Sequence, residues 1–224
     1  MAFDLPGHGD AKGPRGHLPS WVGLRDALVP AMFTVSQAMP DHPRALPRVL
    51  FGHSLGGALA LDRALAHPHG LDALVLSSPA LRSAPPPWWK AALAQVARVL
   101  APSLAIPSGL PSDGISRDPE VLRVRDADPR AHSLISAGTW AGLLAARRRC
   151  MAAARTLAMP TLVLQGTADT LIDPQGARDF VAATPPGRAE LRLVEGGYHE
   201  LFNDLGRDAL VRGLLAWLDA RFPR

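Results

Sequence analysis

Apolar residues along this chain follow two rhythms. Short, nearly continuous apolar runs occur at Arg48–Phe51, Leu71–Leu76 ("LDALVL"), Thr161–Leu164 ("TLVL") and Glu190–Val194 ("ELRLV"). Runs of that length between turn residues predict buried strands. Met1–Asp4 reads as the tail of a further strand that enters a turn-rich loop over Leu5–Ser20. Elsewhere the spacing widens to three and four. Trp21, Leu24, Leu28, Met32 and Val35 predict a helix over Trp21–Met39, with Ser20 as its N-cap. Helices are also predicted over Ala58–Ala66, stopped by His67-Pro68 and Gly70, over Ala177–Ala183 and over Leu205–Phe222. Apolar strands alternating with helices predict an α/β fold whose mostly parallel sheet is covered on both faces.

Residues 80–155 break this alternation. Pro85-Pro86-Pro87 leads into a helix at Trp88–Leu100, and Pro102 and Pro107 interrupt the stretch beyond it. The polar segment "PSDGISRDPE" gives way to further helical spacing up to Leu157, with no strand signal. The expected organisation is a core of 1–79 and 156–224 carrying a helical insertion, 80–155, between two strands of its sheet.

Composition narrows the function. The net charge of +4 is carried by arginine, with Lys12 and Lys90 the only lysines. Basic residues do not alternate with aromatics, and the longest run, Arg147-Arg148-Arg149, reads as a solvated helix face, so no nucleic-acid partner is expected. The single cysteine, Cys150, allows neither an intrachain disulfide nor a cysteine metal cluster. With no apolar stretch of about 20 residues and no signal peptide in "MAFDLPGHGD", the expected location is cytoplasmic.

The chemistry centres on "RVLFGHSLGGALALDRALAHP". Gly52-His53-Ser54-Leu55-Gly56 matches G-x-S-x-G between a strand and a helix, the context in which that pattern makes a nucleophile elbow. A turn this tight needs small neighbours, supplied by Gly52, Gly56 and Gly57. Ser54 would project above the sheet, and the Leu55 N–H would face the same space as an oxyanion donor.

A serine nucleophile needs a base, and the base needs an orienting acid. Of eight histidines, His199 stands out, because it comes directly after a strand and precedes the last helix. Binding groups gather at that sheet edge. His53, inside the turn, is expected to point away from Ser54. Asp169, just past "TLVLQG", is the acid candidate, with Asp173 as its rival. Trp88, Trp89, Leu93, Val96 and Leu100 recur at helical spacing. They give an apolar face that either turns toward the serine, to bind substrate, or packs the insertion against itself.

The chain resembles the monoacylglycerol lipase/lysophospholipase branch of the α/β-hydrolases. The matching stretches are "AFDLPGHG", "GPRGH", "FGHSLGG", "LVLSSPAL", "ISRDPEV", "ADPRAH", "LVLQGTADTLIDP" and "EGGYHELFND". "GYHELFND" together with "SRDPEV" is more specific than the common "GHSLGG". The resemblance implies that 80–155 is a cap receiving an acyl chain, with Ser54 as nucleophile, Asp169 as acid, His199 as base and Leu55 as one oxyanion donor. It implies no metal or organic cofactor. The partner is a small lipid ester, with transient membrane-surface contact through the cap. Family members carry further strands before "AFDLPGHG" and a loop that donates a second oxyanion N–H. The expectation is therefore that Met1 is an internal methionine of a longer protein. The 48–51 strand would then lack a partner on one side, and the chain as written would turn over about a hundred- to thousand-fold more slowly. The leading reading is a serine esterase of monoacylglycerol-like or lysophospholipid-like esters. The alternatives are another cap-bearing carboxylesterase or carbon–carbon hydrolase, or a truncated lipid-binding remnant without turnover.

Overall fold

The computed structural model describes residues 2–37, 46–85 and 87–223. A four-stranded, wholly parallel sheet forms its centre. The strands are β1 (Val49–His53), β2 (Ala73–Ser77), a third at Thr161–Gly166 and a fourth at Ala189–Val194, side by side in that order. β2 is buried at all five positions. Leu74 and Leu76 join one apolar core, while Ala73 and Val75 join the other. That two-residue alternation is what a strand covered on both faces requires.

The larger core is filled from α1 (Trp21–Gln37), α2 (Ser54–Ala66) and two later helices; Leu59, Leu61 and Phe180 are among its buried members. The smaller is closed by Trp217 of the last helix, Arg207–Asp219, over Val75, Leu162 and Leu164. The indole N–H of Trp217 donates to Glu190 (3.0 Å). β1 pairs on one side only, with β2, among the described residues. Phe51 stands half-exposed there, its ring edge-on to Phe202 at 5.4 Å. Residues 2–4 form no strand. Asp4 instead accepts the Asp10 amide and closes a loop (2.9 Å). Met1, and residues 38–39 at the end of the expected first helix, lie outside the described residues.

The insertion carries α3 (Trp88–Leu100), β3 (Ala105–Pro107), α4 (Pro119–Ala127), β4 (Leu134–Ser136) and α5 (Ala137–Ala153). β5 is then Thr161–Gly166, α6 Gln175–Ala183, β6 Ala189–Val194 and α7 Arg207–Asp219. The two short strands correct the expectation of an insertion without strands: β3 and β4 form an antiparallel ladder in the register Ala105↔Ser136. Three residues are too few to show a two-residue period, and about 26 residues separate the partners, so no local turn announces the pairing. β4 is fixed from the N-terminal loop, since the Ser136 amide donates to Gly16 (3.0 Å).

The basic run on α5 is not a uniformly solvated face. Only Arg148 is exposed. Arg149 forks onto the buried Asp62 carboxylate (2.6 and 3.1 Å), which also accepts the Trp21 indole N–H (2.8 Å). Successive helical residues point about 100° apart, so three adjacent arginines face three environments.

Candidate active site

The strand that leads to Ser54 is longer than its apolar run. Gly52 and His53 continue β1, paired with Leu76 and Ser77, and α2 starts at Ser54 itself. Ser54 has φ +50°, a conformation that costs a residue with a Cβ about 1–2 kcal/mol. The tight packing there falls on Gly52 and Gly57. A Cβ on Gly52 would lie 2.6 Å from the Gly56 carbonyl oxygen, and one on Gly57 3.1 Å from Pro79. Gly56 faces no atom within 4 Å, so the turn does not need it to be small.

The Ser54 carbonyl accepts the Ala80 amide (3.0 Å), which ties the elbow to the segment leaving β2. In that segment Ser78, also at positive φ (+43°), donates its buried hydroxyl to the His199 carbonyl (2.8 Å). Two hydrogen bonds thus draw Ser54 and His199 to one short stretch of chain.

His199 and Asp169 are both buried, and His199 Nδ1 lies 2.8 Å from Asp169 Oδ2. The same Oδ2 accepts Gln165 Nε2 (3.0 Å), while Oδ1 accepts the amides of Leu171 and Ile172 (2.9 Å each). Four donors hold this carboxylate fixed in place. With Nδ1 donating to Asp169, Nε2 is the lone-pair nitrogen. Asp173 lies elsewhere: it pairs with Arg82 (2.7 Å) and accepts the Gln175 amide at the start of α6. No hydrogen bond joins Ser54 Oγ to the His199 ring among the described residues.

His53 has neighbours that its place in the turn did not announce. Its ring lies 4.8 Å from that of His199, and its Nε2 is 3.1 Å from Glu200 Oε1, so it packs against the dyad. The approach to Glu200 is close but off the line of a hydrogen bond, leaving an ion pair that forms when the ring is protonated. Burial raises the Glu200 pKa, but His53, Asn203 and His199 outweigh it and hold the group at about 2. No periodicity could have shown this pair, because its members are 147 positions apart.

The two specific sequence stretches prove to be one contact. Arg117 of "SRDPEV" shares its Nε–H between both carboxylate oxygens of Asp204 of "GYHELFND" (2.9 and 3.2 Å), and the Ser116 hydroxyl donates to the Asn203 carbonyl (2.8 Å). Burial pushes the Asp204 pKa up, yet the amides of Tyr198, Arg117 and Leu205, with the guanidinium, carry it below the usual carboxylate range. The His199 amide donates to Gly114 and the Glu200 amide to Ile115 (3.4 and 2.8 Å). The insertion therefore clasps the histidine loop.

Trp88, Trp89, Leu93, Val96 and Leu100 stand on the outer face of α3. All five are exposed, Trp88 to 83% and Leu100 to 78%, and α3 rests on α5 through its opposite, alanine-bearing face. That exposure rules out the reading in which this face packs the insertion against itself. Periodicity locates an apolar face but not what it covers.

Residues 1–206 match the model of the Hydrolase_4 family, described as serine aminopeptidase, S33. The chain belongs to this family of α/β-hydrolases. It is 33% identical over 222 residues to the monoacylglycerol lipase of Mycolicibacterium smegmatis, covering 97% of this chain and 76% of that one. To the human monoglyceride lipase it is 32% identical, with 92% and 67% covered. Among solved structures, the monoacylglycerol lipase of Paleococcus ferrophilus superposes with a TM-score of 0.85 at 30% identity, covering 98% of this chain and 82% of that one. No helix among the described residues of this hydrolase is long and apolar enough to cross a membrane.

Proposed function

We propose that this hydrolase cleaves carboxylic esters of monoacylglycerol or lysophospholipid type through an acyl-enzyme. The observation that carries the reading is the buried 2.8 Å contact between Asp169 and His199, held by Ser78 beside the strained Ser54 elbow. In this mechanism Ser54 Oγ attacks the ester carbonyl and His199 Nε2 takes its proton. Asp169 keeps Nδ1 protonated and stabilises the imidazolium. The Leu55 N–H, in the first turn of α2, donates to the developing oxyanion. His199 then returns the proton to the leaving alcohol, and water releases the acid by the reverse sequence. The hydrogen bond from Ser54 to His199 forms when substrate fills the site.

Residues 80–155 act in this reading as the cap, supported by the clasp of Gly114, Ile115 and Arg117 on the histidine loop. The exposed apolar face of α3 suits transient contact with a lipid surface. Sedimentation with phosphatidylcholine vesicles, lost in Leu93→Ser, tests that role; unchanged partition removes it.

A fluorophosphonate should label Ser54 and no other serine, and Ser54→Ala should lose on the order of a million-fold in turnover. Label elsewhere, or undiminished hydrolysis by the variant, overturns the assignment. Rates across an acyl series from acetyl to palmitoyl glycerol decide the substrate class. A preference for acetyl would point to a short-chain carboxylesterase.

A further inference from the structure

A cavity of about 250 Å³ opens between the loop at 83–85, α3 and α5. Its walls are mostly apolar: Ala84, Pro85, Ala91, Ala94, Trp140 and Leu144. Arg147 also lines it. The side chain is half-buried. Nε donates to the Ala80 carbonyl (2.7 Å) and Nη1 to the Ser83 hydroxyl (3.1 Å), with the Trp140 ring 5.6 Å away. Those bonds use two of its five donors. Among the described residues it has no carboxylate within 4 Å, whereas Arg149, two positions on, is neutralised by Asp62. Desolvation pushes the Arg147 pKa down to about 10 with no opposing charge to hold it up. Among the described residues, Arg98 at the same cavity bonds the Gln95 side chain through Nε (2.6 Å).

A partly desolvated charge without a counter-ion is costly, and an apolar wall beside it complements a molecule with one anionic end and one apolar end. We propose that this cavity binds an anionic amphiphile, a single-chain lipid whose carboxylate or phosphate meets Arg147 and whose tail lies along Ala91, Ala94 and Leu144. The site adjoins the serine elbow. Arg147 holds the carbonyl of Ala80, whose amide donates to the Ser54 carbonyl. A fatty carboxylate released by ester hydrolysis has this chemistry, as does a lysophospholipid phosphate. The binding itself does not rest on the hydrolytic reading, and probes without an ester bond keep the two separate.

Calorimetric titration of the full chain with octanoate, octyl phosphate and octanol provides the test. At least one anion should bind about ten-fold or more tighter than octanol, the scale of a charged hydrogen bond. The tighter anion identifies the headgroup. Arg147→Met should reduce the anions to the level of octanol, and Arg147→Lys should retain much of the preference. If Arg147→Met does not fold, the native chain still decides, because added salt should weaken the anions and leave octanol unchanged. Equal affinity for octanol, insensitivity to salt, or undiminished anion binding by Arg147→Met would each overturn the proposal.

Discussion

Asp169 and Asp173 are four positions apart and chemically identical, yet their surroundings separate them. Asp169 accepts from His199 and three further donors inside the protein, while Asp173 shares a half-exposed pair with Arg82. Asp169→Asn should lower ester turnover about ten-thousand-fold, the loss expected when the orienting acid can no longer hold the histidine tautomer. Asp173→Asn should stay within a few-fold of wild type. The reverse order in a steady-state assay would transfer the role to Asp173. Glu200 sets a pH dependence. Its folded pKa is depressed from 4.5 to about 2, so below about 4.5 the unfolded chain binds more protons than the native one. Its contribution to stability is complete above that range and is lost as pH falls through it. Melting temperatures measured from pH 5 to pH 2.5 should fall less steeply in Glu200→Gln than in wild type. Parallel curves would show that the carboxylate is not coupled to folding.

At the scale of elements, the β1–α2 turn is set by one contact more than by its glycine count. A Cβ on Gly52 would press on the Gly56 carbonyl at 2.6 Å and on the Ala60 Cβ at 2.8 Å, whereas Gly56 has open space. Gly52→Ala should therefore cost about 1–3 kcal/mol in denaturant unfolding. Gly56→Ala should be neutral or stabilise by up to about 1 kcal/mol, because alanine favours the helix. A destabilised Gly56→Ala would mean that the position serves something other than packing. The strand signal at 48–51 located this turn but ended early, because glycine and histidine carry no apolar mark. β1 continues through them only because Leu76 and Ser77 of β2 offer ladder partners. Likewise, the spacing of Trp88, Leu93 and Leu100 marked a face of α3, while packing against α5 decided that this face points to solvent.

At the scale of the whole molecule, the Arg117–Asp204 pair joins the insertion to the loop that carries His199. The Asp204 side chain is almost wholly buried and that of Arg117 is 30% exposed. Asp204→Ala would strand the guanidinium and the amides of Tyr198 and Arg117. It should cost about 3 kcal/mol in chemical denaturation and lower turnover as the histidine loop loosens. Full stability in that variant would show that the clasp is incidental. By itself the sequence determined the alternation of strands and helices, the sharp strand-to-helix turn at Ser54, and the place of His199 just past a strand. These are local properties, written in apolar period and in the residues that interrupt it. Tertiary structure set Asp169 against His199 and Asp173 against Arg82, brought His53 and Glu200 to the histidine, and paired β3 with β4. It also left Arg147 beside a cavity with no counter-ion among the described residues. Each of these depends on which distant segment arrives as neighbour, and burial and charge pairing are properties of that encounter, not of the spacing along the chain.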